Sequence, residues 1–108
     1  NDFSEGFAAV KFGEFDYGFI DTLGNIAFRF DKCNGIGNFN NGLARVQIDN
    51  KWGYINRRGE FFIKPQYDYA IDFRDGFALV WQDDKVYVMN TDGKHIWEYI
   101  FTEQNEKN

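Results

Sequence analysis

The stretch "KWGYINRRGEFFI", residues 51–63, sets an aromatic beside a glycine in an apolar run, breaks at Asn-x-x-Gly and turns apolar again. The same outline stands earlier as "DYGFIDTLGNIAF" (16–28) and later, more faintly, as "KVYVMNTDGKHIW" (85–97). In each, Asp21, Asn56 or Asn90 precedes a glycine by three residues, at Gly24, Gly59 and Gly93. Asp or Asn at the first position with Gly at the fourth marks a type I turn, in which the short side chain bonds local backbone and the glycine takes positive φ. Each stretch therefore reads as a β-hairpin closed by a three-residue loop, the central one joining strand 52–56 to strand 60–64.

Just ahead of these hairpins stand "FSEGFAAVKF" (3–12), "FNNGLARVQI" (39–48) and "FRDGFALVWQ" (73–82), which share Phe-x-x-Gly-x-Ala-x-Val. Phe-x-x-Gly, ending at Gly6, Gly42 and Gly76, is expected to repeat the same turn one strand earlier, giving three strands per repeat and roughly nine in all. "CNGIGN" (33–38) and "YDYAID" (67–72) link one copy to the next. Self-similarity at a fixed period marks an architecture in which each unit contacts mainly its neighbours. The expected fold is all-β: three tandem antiparallel β-hairpin repeats of ~35 residues, stacked as an elongated array. A closed threefold, trefoil-like arrangement is the architectural alternative. One domain over 1–102 holds repeats at about 3–38, 39–72 and 73–102, and 103–108 is a polar C-terminal tail.

Composition agrees with strands. Of 108 residues 20% are aromatic, with thirteen Phe, six Tyr and three Trp against one Pro, and aromatic side chains favour pleated surfaces. Apolar residues at 44% supply enough surface to offset the entropy of ordering, which argues against disorder. Twelve Lys and Arg against seventeen Asp and Glu leave a net charge of -5, so a phosphate backbone meets repulsion and nucleic acid is excluded as a partner. No apolar run approaches the roughly 20 residues of a transmembrane segment, and the opening "NDFSEGFAAV" lacks the basic end and long apolar core of a signal peptide. A chain opening without Met is expected to be processed or a fragment, so export of the parent protein and its localisation stay open. A single cysteine leaves the redox compartment undetermined.

Period-two alternation assigns faces. Ala8 and Val10, Ala44 and Val46, and Ala78 and Val80 share one side of the first strand, small enough for a neighbouring layer to approach, and form the expected interior. Gly18 and Gly53 in the second strand are expected to make room for an aromatic from another repeat; Tyr87 replaces them in the third copy. Opposite the Ala and Val positions lie Ala9 and Lys11, Arg45 and Gln47, and Leu79 and Trp81, which vary as an outer surface does. Arg45, Gln47, Leu79 and Trp81 are thus the candidate partner surface, with Leu79 and Trp81 as an apolar anchor unless "IWEYIF" (96–101) or a further repeat covers them.

The central copy, "FNNGLARVQIDNKWGYINRRGEFFIKPQYDYAIDF" (39–73), resembles the WG repeat family of bacterial proteins, whose units run Trp-Gly-Tyr-Ile-Asn or Asp, two residues, Gly, an apolar strand, Tyr-Asp-x-Ala, then Phe-x-x-Gly-x-Ala-x-Val. The likeness extends from Phe3 to about Ile100. The first copy departs with Tyr17 for the Trp and "CNGI" for Tyr-Asp-x-Ala, the third with Val86 and Tyr87 for Trp-Gly. The resemblance implies tandem β-hairpin arrays, part of longer repeat regions, with no enzymatic activity and no particular ligand attached to the repeat.

No catalytic, cofactor-binding or metal site is read from the residues. His95, the one histidine, occupies the place of Ile26 and Phe61, a partly buried strand position rather than a catalytic base. Cys33 aligns with Tyr67 and is expected to pack as a small apolar side chain. "GIGNFNNG" (35–42) leads into a strand, not the helix a phosphate loop needs. Asp83 and Asp84, like Asp49 and Asn50, form solvated turns with too few oxygens for calcium, and Arg57 and Arg58 cap an exposed hairpin tip. The aromatics read as core shared between repeats; aromatic-rich hairpins that bind choline or glucan resemble them loosely but repeat at about 20 residues. The expected role is a non-enzymatic module that binds a protein partner, with carbohydrate or cell-wall binding as the alternative.

Overall fold

Local side-chain chemistry closes the hairpins. In a computed structural model, which describes residues 3–100, Asn56 Oδ1 accepts the backbone N–H groups of Arg58 and Glu60 at 2.9 and 3.1 Å. Asp21 Oδ1 does the same for Leu23 and Asn25, both at 2.9 Å, and Asn90 Oδ1 for Asp92 and Lys94 at 2.9 and 3.0 Å. Gly24, Gly59 and Gly93 behind them stand at φ 87°, 80° and 83°. Phe-x-x-Gly makes a different turn from the one expected. Glu5 and Gly6, Asn41 and Gly42, and Asp75 and Gly76 all have positive φ, and the flanking residues exchange paired backbone hydrogen bonds, as Ser4 and Phe7 do at 2.8 and 3.1 Å. Two consecutive left-handed residues give the tight two-residue hairpin turn whose twist matches the strands. Asp49 with Asn50 and Asp83 with Asp84 adopt the same backbone without glycine, at the cost that Asp and Asn tolerate best.

Eleven strands result: β1 (Phe7–Gly13), β2 (Asp16–Asp21), β3 (Ile26–Asp31), β4 (Cys33–Ile36), β5 (Ala44–Ile48), β6 (Lys51–Ile55), β7 (Phe61–Tyr67), β8 (Tyr69–Ala70), β9 (Phe77–Gln82), β10 (Lys85–Asn90) and β11 (His95–Ile100). They form three antiparallel sheets, in the orders β1-β2-β3, β4-β5-β6-β7 and β8-β9-β10-β11. The count exceeds nine because the links themselves contribute strands β4 and β8. Each of these pairs with the strand that follows it, Gly35 opposite Gln47 and Tyr69 opposite Trp81. The sheets therefore divide the chain after Asp31 and Tyr67, ahead of the repeat boundaries drawn from the sequence. No helix occurs among the described residues, hence none long and apolar enough to cross a membrane. No sheet closes into a barrel, and the molecule measures 56 × 28 × 21 Å. The expected tail at 103–108 lies outside the described residues.

Apolar side chains gather in two seams. The first joins sheets one and two: Phe19, Cys33, Phe39, Ala44, Val46 and Ile55 are buried, with Phe7, Phe28 and Phe30 packed against them. Phe39 lies 4.8 Å from Phe19 and 5.0 Å from Phe7 between ring centroids. The second joins sheets two and three through Leu43, Trp52, Tyr54, Tyr67, Phe73, Ala78, Val80 and Met89. Ala44 and Val46, and Ala78 and Val80, bury completely or nearly so, since small side chains let the preceding sheet come close. The glycines of the second strand work differently from expectation. A Cβ on Gly53 would stand 2.4 Å from the Ile63 carbonyl oxygen and one on Gly18 would stand 2.2 Å from that of Phe28. The obstacle is backbone of the adjoining strand, at a bulge in the case of Gly53, not an aromatic from another repeat.

Candidate functional site

The register makes the two faces of each sheet comparable. Ala9, Phe19 and Phe28 lie side by side in sheet one, Arg45, Tyr54 and Ile63 in sheet two, and Leu79, Val88 and Trp97 in sheet three. In the first two sheets this row enters the seam with the next sheet. In sheet three it does not: Trp97 is 61% exposed and Phe77, at the end of the same face, 47%. Leu79 and Trp81 are part-buried, Leu79 beside Val88 and Trp81 beside Tyr69. Strand β11 does not cover them, because it pairs with the far side of β10.

Arg45 and Gln47 do not share that exposure, and so depart from the outer surface expected of them. Both are part-buried on the face of sheet two that meets sheet three. The Arg45 guanidinium lies 4.7 Å above the Trp52 ring, donates to the Ala70 carbonyl at 2.8 Å and approaches Asp72 Oδ1 to 2.9 Å without a well-directed hydrogen bond between them. The outward variability of this face thus conceals two seams and one face left exposed among the described residues.

Beside the free face a cavity of about 380 Å³ opens among Asp68, Tyr69, Trp81, Gln82 and Asp84. The Tyr69 and Trp81 rings are 5.3 Å apart and inclined at 60°, in tilted contact with each other, and both line the cavity. Asp68 pairs with Lys51 and accepts the Asp83 N–H at 3.2 Å; the Lys51 hydrogen bond, then that N–H, hold its carboxyl below the usual value. Gln82 donates to the Gln66 carbonyl at 3.2 Å. A smaller apolar hollow of about 290 Å³ is bounded by Ile71, Phe77, Leu79 and Val88 among others.

The residues with catalytic potential stay apart. Cys33 is fully buried in the first seam, its thiol donates to the Gly35 carbonyl at 3.3 Å and burial pushes its pKa up, which keeps it from the reactive thiolate form. His95 is exposed rather than partly buried. It stacks on Tyr87 with centroids 4.1 Å apart, and its Nε2 lies 2.6 Å from the Tyr67 hydroxyl across the second seam. Desolvation raises the Tyr67 pKa, so that phenol serves as a hydrogen-bonding group. Among the described residues no group of His, Cys, Asp and Glu could hold a metal. Sequence reasoning missed Tyr69 and Asp68, and reads Asp84 only as part of a solvated turn, because β8 is two residues long and only its pairing with β9 brings Tyr69 to Trp81.

The turn glycines have a second role in this geometry. A Cβ on Gly59 would fall 2.4 Å from the Phe28 ring, and one on Gly93 3.1 Å from Ile63, whereas Gly6, Gly24, Gly42 and Gly76 face open space. The tip of each later hairpin rests on the third strand of the sheet before it, at equivalent positions. No curated protein matches the chain. The family model of the WG containing repeat matches it twice in succession, over residues 17–52 and 52–85, each match running from the second strand of one sheet to that of the next, and the chain belongs to that family.

Proposed function

We propose that this chain is a non-enzymatic interaction module whose three sheets are successive units of a tandem array, and that its third sheet presents the surface to which a protein partner binds. The carrying observation is the exposure of Trp97 and Phe77 at the places where Phe28 and Ile63, and Phe7 and Leu43, pack into seams. Exposed aromatic anchors of this kind dominate the energetics of interfaces. The charge of -5 disfavours nucleic acid, and the placement of Cys33 in the first seam and His95 at the second supports a reading without a nucleophile–base pair of these two residues.

Photo-crosslinking from a benzoylphenylalanine at position 97 tests the assignment in extracts of the source cells. A discrete protein adduct, lost on Phe77→Ser at unchanged melting temperature, is the expected result. Crosslinks that are diffuse, or a glycan captured with equal strength by the wild type and by Phe77→Ser, overturn it. The double variant Cys33→Ser, His95→Gln is expected to bind as the wild type does once corrected for stability, and a hydrolytic or transfer activity abolished by it in a folded protein would refute the non-enzyme reading.

A further inference from the structure

The chain repeatedly sets a cation of its own on an aromatic ring of the same sheet face. In sheet one Lys11 Nζ lies 5.6 Å from the Tyr17 ring. In sheet two, at the equivalent ring, Arg45 lies over Trp52 with the Asp72 carboxylate at 2.9 Å. Sheet three breaks the pattern twice. Val86 stands in the ring position, and the cation positions hold Leu79 and Trp81 in place of Arg45 and Lys11. Aromatic rings are nonetheless present one strand over, Trp81 facing Tyr69, where sheet two has Gln47 facing Gly35. The acids change in step: Asp68 and Asp84 occupy the places of Asn34 and Asn50.

We propose that the cavity lined by Tyr69 and Trp81 receives an arginine or lysine side chain of a protein partner, the guanidinium or ammonium lying against the aromatic surface of the touching ring pair with Asp84 as its counter-ion. Arg45 on Trp52 beside Asp72 is the same arrangement made within the chain. An electron-rich ring face attracts a cation, and a guanidinium, planar and weakly hydrated, stacks on such faces best. The ionisable groups lining the cavity, tyrosine apart, are carboxylates. Asp68 is engaged with Lys51, while the Asp84 carboxylate has no hydrogen bond or ion pair among the described residues and stays available beside the neighbouring Lys85. Four coordinated differences from the adjacent copy, at 68, 69, 81 and 84, fall in one cavity, and all four add either a ring or a negative charge.

The inference rests on the protein-partner reading, and its test does not use the partner. A blocked tripeptide, acetyl-Gly-Arg-Gly-amide, is titrated into the isotopically labelled full chain beside its citrulline counterpart, which keeps the planar shape and loses the charge. The indole N–H of Trp81 and the amides of Tyr69 and Asp84 are expected to shift, with arginine preferred by roughly fivefold, the worth of an exposed cation on a ring. Asp84→Asn, on an exposed turn whose backbone Asn accepts, should weaken the preference while leaving the spectrum otherwise unchanged. Trp81→Leu should remove the shifts altogether, and Arg57→Ala, at a distant hairpin tip, neither. Equal response to arginine and citrulline, shifts confined to other residues, or a neutral oligosaccharide moving these resonances where arginine does not would each overturn the proposal. Crosslinking at position 97 can succeed or fail independently of this result, so the two readings are separately refutable.

Discussion

The two seams occupy equivalent positions and are built from different chemistry. Between sheets one and two the contact is hydrocarbon: Phe7, Phe19, Phe28 and Phe39 meet with Cys33 among them. Between sheets two and three the same positions carry hydroxyls and charges. Tyr54, in the place of Phe19, donates to the Ile71 carbonyl at 2.6 Å; Tyr67, in the place of Cys33 by alignment, reaches His95; Arg45, in the place of Ala9, faces Asp72. Apolar packing tolerates small slips, whereas a hydroxyl aimed at one carbonyl fixes the offset of two sheets. A repeat can thus keep its spacing and vary its seam, provided each buried polar atom brings its partner.

The largest expected effect concerns how a hairpin tip seats in the first seam. Gly59→Val meets both a positive φ and the Phe28 ring at 2.4 Å, and should cost about 2–5 kcal/mol. Gly24→Val shares the φ but faces open space, and should cost about 1–2 kcal/mol. Denaturant melts of the two variants decide it; equal losses would mean that the tip does not rest on Phe28.

Next come exchanges between the seams. Tyr54→Phe strips the Ile71 carbonyl of its donor inside the second core and should cost about 1–3 kcal/mol. The converse, Phe19→Tyr, places a hydroxyl near Gly37, which stands two residues before Phe39 as Ile71 does before Phe73. If the seams are geometrically equivalent it should melt within about 1 kcal/mol of the wild type. A collapse of Phe19→Tyr, with Tyr54→Phe harmless, would show that the seams differ in shape as well as in polarity.

Alkaline titration separates them more gently. Burial first, and the Asp72 charge in the same direction, raise the Tyr54 pKa strongly from 10.0, opposed by Arg45; Tyr67 is raised by burial too. The unfolded phenol ionises near its ordinary value while the folded one stays neutral. Stability contributed by this difference is therefore complete below about pH 10 and falls as pH climbs from there toward the folded pKa. Tyr54→Phe, though weaker at pH 7, should lose less stability than the wild type between pH 9.5 and 11, measured by urea midpoints. A parallel decline would place the alkaline sensitivity elsewhere, Tyr67 in the same seam and Cys33 in the first being the next groups to replace. The smallest effect belongs to the exposed tip: Arg57→Ala and Arg58→Ala should each stay within about 0.5 kcal/mol, although Arg57 reaches the Glu5 carbonyl at 3.4 Å.

Much of this was legible in the residues. The Asx-x-x-Gly turns announced themselves because their hydrogen bonds are local, from Asn56 to amides two and four residues on. The interior role of Ala44, Val46, Ala78 and Val80 followed from alternation, since a strand must put every second side chain on the same face. The tight turns at Phe-x-x-Gly differ in type from the expectation, because one glycine is compatible with both types and only the folded backbone shows that Asn41 is left-handed as well. Gly18 and Gly53 make room for backbone of the adjoining strand rather than for an aromatic, because how closely the next strand approaches leaves no mark on the strand that accommodates it.

The sequence by itself determined the family, the hairpins, the period and the identity of the small-residue face, all of which rest on short-range geometry that repeats. Tertiary structure alone decided which face is covered. Arg45 and Leu79 occupy equivalent places on equivalent strands, yet one is locked between sheets by Trp52, Ala70 and Asp72 while the other borders a face left exposed among the described residues. It also decided that Asp68, Tyr69, Trp81 and Asp84 share a cavity, because the pairing of a two-residue strand depends on where the whole preceding sheet delivers the chain. Burial is a property of what lies opposite, and what lies opposite is set by contacts between residues far apart in the chain.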